Sequence, residues 1–155
     1  MGRLTKLGTT TLLSVGLATA AFAGVASAGE ELSKKEFQKG ANAICKVANE
    51  GIEAAFIAAG FSEETFSEDT GPTAEQIQAA VAGAAPIFRA ALDEISALEG
   101  PSAYQKKVDK LLDQYNKVVD VVEEDPVSSF SEDGPDPFAK PNKQAKKLGL
   151  KQCVQ

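Results

Sequence analysis

SAYQKKVDKLLDQYNKVVDVVEE, residues 102–124, is the stretch that decides the fold. Tyr104, Val108, Leu111, Tyr115, Val118 and Val122 recur at steps that place them on one stripe of a helix, with lysines, acids and amides over the rest of its surface. A strand would scatter the same apolar side chains over both of its faces. Ser102 with Gln105 reads as a capping box at the start, Gly100-Pro101 separates the helix from what precedes it, and Asp125-Pro126 stops it.

Upstream, Thr73 with Gln76 makes another capping box, and Ile77, Val81, Ala84, Phe88, Leu92 and Ile95 hold one helical phase. Pro86 interrupts that phase, removing a backbone donor and displacing the carbonyl of Ala82, while Gly83 softens the same turn. It falls opposite the apolar stripe, where water can solvate the freed carbonyl, so the reading is one kinked helix. Earlier still, Ser33-Lys34-Lys35-Glu36 is a capping box followed by Phe37, Ala41, Ile44, Ala48, Ile52 and Ala55 at helical spacing. Gly60 is suited to close this first helix, expected over 34–59, and Cys45 lies on the edge of its stripe. An acidic loop, 61–72, joins the two helices.

Downstream, a loop runs to 136, where Asp136-Pro137 reads as an N-cap with proline at the first helical position. Pro141 pushes the start later. Phe138, Ala145 and Leu148 give a weak apolar face that Gly149 ends, leaving Leu150 and Cys153 to fold back onto the first helix. No segment alternates with period two for long enough to make a strand. The expectation is an all-α domain, an up-and-down four-helix bundle with its second helix kinked at Pro86.

The first 28 residues stand apart. Arg3 and Lys6 precede an uncharged run from Leu7 to Val25, and Ala26-Ser27-Ala28 supplies the small residues of a signal peptidase site. The run is diluted by threonine, serine and glycine, which suits a cleaved signal better than the alternative, a retained anchor. Cleavage between Ala28 and Gly29 leaves 29–155 as a single helical domain in an oxidising, extracytoplasmic place, secreted or in the cell envelope. The whole chain's net charge of −6 would fall by two more on cleavage. An acidic domain of this kind lacks the basic footprint that nucleic-acid binding needs.

Both cysteines, Cys45 and Cys153, lie beyond the signal. An internal disulfide is the simplest pairing in an exported chain, against free thiols or an intermolecular bridge. By the chain-entropy argument such a long loop is worth on the order of 4–5 kcal/mol. Without histidine, two cysteines fall short of a metal site.

Catalytic chemistry finds little support. The absence of histidine removes the usual Ser-His and Cys-His arrangements, and nothing sets two acids across a cleft from each other. Two acidic loops share wording, Phe66-Ser67-Glu68-Asp69-Thr70-Gly71-Pro72 and Phe130-Ser131-Glu132-Asp133-Gly134-Pro135. Weak calcium binding is one reading, although the spacing is not that of an EF-hand; solvated turns explain the same residues. Charge is segregated: 120–136 carries seven acids and no base, whereas Lys140, Lys143, Lys146, Lys147 and Lys151 form a tail without acids. Those lysines either grip an anionic partner or complement a helix dipole and the acidic loop. Tyr104 and Tyr115 either complete a core or line a pocket for an apolar ligand.

The segment Phe37…Ala41-Asn42-Ala43-Ile44-Cys45-Lys46…Ala48-Asn49, together with Leu98-Glu99-Gly100-Pro101 and Leu148-Gly149-Leu150…Cys153, resembles small exported two-cysteine proteins of actinobacteria. The lipobox that many of those proteins carry has no counterpart here. The resemblance implies the Cys45–Cys153 pairing and a helical fold, and supplies no activity. The functional expectation is a secreted or envelope-associated helical binding protein with an envelope or extracellular partner and no cofactor. The alternative is a small carrier of a hydrophobic ligand, with an enzyme the remotest reading.

Overall fold

The computed structural model describes residues 31–62, 71–131 and 134–154. The expected signal peptide, its cleavage point at Ala28 and Gly29, most of the first acidic loop, and Glu132 and Asp133 lie outside the described residues. Every regular element among those described is helical.

Helix α1 spans Lys34–Ala58. Both halves of its capping box form: the Glu36 amide donates to Ser33 Oγ at 3.3 Å, and Ser33 N donates to Glu36 Oε2 at 3.0 Å. The helix ends one residue earlier than expected, in a Schellman closure in which Phe61 N donates to the Phe56 carbonyl across a left-handed Gly60. Helix α2 spans Ala74–Ser96 and opens with the Thr73–Gln76 box. It runs unbroken through Pro86, which is exposed.

Helix α3 spans Ser102–Glu124, but its start corrects the sequence reading: Ser102 makes no cap. Tyr104 N and Gln105 N both donate to the Pro101 carbonyl, at 2.7 and 2.8 Å, so Pro101 occupies the capping position and Ser102 is already helical. Gln105 still reaches back, accepting from Gly100 N at 3.3 Å. The buried face is broader than the expected stripe. Leu112 and Val119 are buried, and Val118 only half so.

Asp125-Pro126 ends α3 and at once starts a single turn, α4 (Pro126–Ser129), whose Ser128 amide donates to Asp125 Oδ1. Helix α5 spans Ala139–Leu148, so Asp136-Pro137 is not its cap. Asp136 instead takes the Phe138 amide at 2.8 Å in a turn before the helix. Pro141 falls in the first turn of α5, where its missing N–H has no helical partner to lose.

Gly149, at φ 79°, closes α5, with Leu150 N donating to the Ala145 carbonyl. A short 3₁₀ turn, Lys151–Cys153, then delivers Cys153 to Cys45. The disulfide is formed, linking residues 108 apart in sequence.

Helix α1 packs chiefly on α2, α3 lies against α2 and α5, and the 3₁₀ turn joins α5 to α1. The core at the end holding the start of α1 is filled by Phe37, Tyr104, Val108, Ile95 and Leu150, with the Phe37 and Tyr104 rings edge-to-face at 5.4 Å. Gly100 is required there, since a β-carbon would lie 2.7 Å from the Phe37 ring. The midsection holds the disulfide, Phe88 and Tyr115 around only about 10 Å³ of free space, no more than a single water would occupy.

Candidate functional site

The C-terminal segment is fastened by side-chain amides of α1 as well as by the disulfide. Gln38 Nε2 donates to the Leu148 carbonyl at 2.6 Å, Asn42 Nδ2 to Gly149 O at 2.9 Å and Asn49 Nδ2 to Gln152 O at 2.8 Å. Gln152 N returns a bond to Asn42 Oδ1 at 2.8 Å. These amides sit at helical spacing around Cys45, so one edge of α1 is a continuous clamp. These bonds lay the segment along α1 from Gln38 to Asn49.

Past Asn49 the described residues leave a cleft of about 310 Å³ between α1 and α3. Ile52 and Phe56 of α1 form one wall, Val119 and Val122 of α3 the other, and Val81, Ala84, Ala85 and Phe88 of α2 the floor. The connection from α4 to α5 closes one side with Phe130 and Phe138. Phe138 is held by the aromatic rings of Phe88 and Tyr115, with centroids at 6.1 and 6.4 Å. Asp136, itself exposed, is the only polar residue in the described lining. A second hollow of about 170 Å³ shares Phe56, Val81 and Phe130 and extends the apolar surface to Phe61 and Ile77.

A cleft of this size stands at the lower end of small-molecule sites, which run from about 300 Å³ upward. At roughly 30 Å³ for each water-sized group, it takes a chain of about ten methylenes.

Tyr104 and Tyr115 do not line this cleft. Both are buried, and their hydroxyls serve the C-terminal backbone: Tyr104 donates to the Leu148 carbonyl at 2.7 Å. The Tyr115 hydroxyl stands 2.7 Å from the Cys153 carbonyl and 2.9 Å from Asn142 Oδ1, which share its one proton. Burial pushes both phenols above their ordinary value, Tyr115 the further.

Lys140, Lys143, Lys146, Lys147 and Lys151 are exposed and pair with no carboxylate among the described residues; Lys146 and Lys147 fall in the last turn of α5. Two acids of α3 are engaged elsewhere, for Arg89 of α2 bridges Asp120, at 2.8 Å, and Glu123. No group of three or more potential metal ligands occurs among the described residues, and no described helix is long and apolar enough to cross a membrane.

Several cleft residues, among them Ile52, Val81, Phe88 and Val122, belong to the stripes read from the sequence as core. Nothing in their spacing distinguishes an apolar residue covered by a neighbour from one left facing a gap. Phe130 and Asp136 carried no such signal at all, being loop residues placed by tertiary contacts. Comparison with protein-family models, curated proteins and solved structures finds no match to this chain.

Proposed function

We propose that this protein is an exported helical binding protein that holds an apolar ligand in the cleft between α1, α2 and α3. The cleft itself carries the reading: about 310 Å³ of space with one polar side chain in its described lining. Native interiors close such space when nothing occupies it, because unpaired apolar surface forfeits dispersion contacts on every side. The export address rests on the N-terminal segment, and an intact disulfide is compatible with it. In this reading the three long helices and α5 run up and down as a four-helix bundle. A bend of α2 at Pro86, one residue beyond Ala85 of the cleft floor, helps to hold the cleft open.

A neutral fluorescent probe such as N-phenylnaphthylamine should bind the wild type one to one. Ala84→Phe, which fills the floor, should abolish binding while leaving the melting temperature unchanged or raised. Equal binding by that variant would overturn the proposal. Native mass spectra of the protein from its own envelope should also retain an apolar ligand.

A second reading, a protein-interaction face, is favoured by the exposed apolar side chains Ile57, Val121, Val127 and Phe130. Concentration-dependent association that Ile57→Lys or Val121→Lys abolishes, without loss of probe binding, would select it.

A further inference from the structure

Asp136 is the one polar residue in the described lining of the cleft, and the inference drawn from it rests on the proposed ligand-binding role. We infer that Asp136 reads the ligand's polar end, so that the cleft takes a single-chain amphiphile with a cationic, ammonium-class head and disfavours alkyl carboxylates.

Three observations carry this. The Asp136 carboxylate is held in place, with Oδ1 accepting the Phe138 amide at 2.8 Å, beside the ring of Phe138 that helps to form the cleft wall. It pairs with no lysine or arginine among the described residues; Lys140, the nearest base downstream in sequence, is exposed and makes no ion pair. Arg89, which follows the floor residue Phe88, is already taken by Asp120 and Glu123. An ammonium head arriving with its chain in the cleft therefore meets a fixed, unneutralised carboxylate and gains a charge-assisted hydrogen bond. A carboxylate head would meet the same charge with the opposite sign.

Displacement of the bound neutral probe by decylammonium, decanol and decanoate, each below its micellar concentration, tests the inference. The wild type should prefer decylammonium over decanoate by about tenfold or more, the size of one such bond at a partly wet site. Asp136→Asn keeps the acceptor for the Phe138 amide and should reduce that preference by about tenfold. Glu94→Gln removes one charge from the exposed face of α2 and should leave it nearly unchanged, which separates local recognition from the overall negative charge.

Decanoate binding as tightly as decylammonium, or the same small effect from Asp136→Asn and Glu94→Gln, would overturn the inference while leaving the cleft's role intact. Failure of the probe and all three chains to bind the wild type would remove both.

Discussion

Tyr104 and Tyr115 look equivalent in the sequence, and the structure makes them unequal. Each is buried with its hydroxyl on a backbone carbonyl of the C-terminal segment. The Leu148 carbonyl, however, has a second donor in Gln38 Nε2 at 2.6 Å, whereas the Tyr115 hydroxyl is the one donor described for the Cys153 carbonyl. Tyr104→Phe should therefore lose about one net hydrogen bond, roughly 0.5–1 kcal/mol. Tyr115→Phe loses the bond and strands a buried acceptor, a total of about 2–3 kcal/mol. Urea unfolding followed by far-ultraviolet circular dichroism measures both. In thermal melts the difference should appear at roughly 3–5 °C for each kcal/mol in a unit of this size. Gln38→Ala combined with Tyr104→Phe should exceed the sum of the single changes by about 1–2 kcal/mol, because only the pair orphans the Leu148 carbonyl. Equal losses for the two tyrosine variants, or strict additivity in the double variant, would refute the argument that spare donors decide the outcome.

Replacing both Cys45 and Cys153 by alanine should cost about 4–5 kcal/mol through the freed chain entropy of a loop with a separation of 108 residues, read from urea midpoints. Helix content at low temperature should persist, since the amide clamp remains. Gly149→Ala meets both a left-handed backbone and Gln38 Nε2, and should destabilise by about 2 kcal/mol or more; Gly71→Ala, equally left-handed but in open space, should lose about 1 kcal/mol. At high pH the buried phenols matter. Their folded values lie above the ordinary 10.0, so the stability they contribute is complete below pH 10 and is lost as the pH rises further. Alkaline unfolding monitored by tyrosinate absorbance should be shallower in Tyr115→Phe. At low pH the sign reverses. Ser33 holds Glu36 below 4.5 and Ser128 holds Asp125 below 3.8, chiefly by hydrogen bonding, so their contributions fade as the pH falls through those lowered values. NMR titration should find Glu36 and Asp125 each protonating below the ordinary value for its type.

Much of the fold was legible because its signals are local. Ser33 with Glu36, Thr73 with Gln76, Gly60 and Gly149 act within one or two turns, and the structure uses each of them as read. The misread start of α3 is instructive. Ser102 and Gln105 have the right spacing, yet the Pro101 carbonyl takes the Tyr104 and Gln105 amides and moves the cap one residue earlier. The clamp left a trace that spacing alone did not decode: Gln38, Asn42 and Asn49 share an edge with Cys45, but amides on a helix face water as readily as a partner chain.

What the sequence by itself determined is the three long helices and most of their apolar faces, since a period of 3.6 and a cap depend only on neighbours along the chain. The tertiary structure alone decided which stretch of those faces the described residues leave uncovered. That depended on how far the disulfide and the amide clamp carry the C-terminal segment along α1, and on where the connection from Phe130 to Phe138 crosses. Apolar residues follow one pattern whether they meet a neighbour or border a gap, so the cleft, and Asp136 beside it, emerged only from the packing.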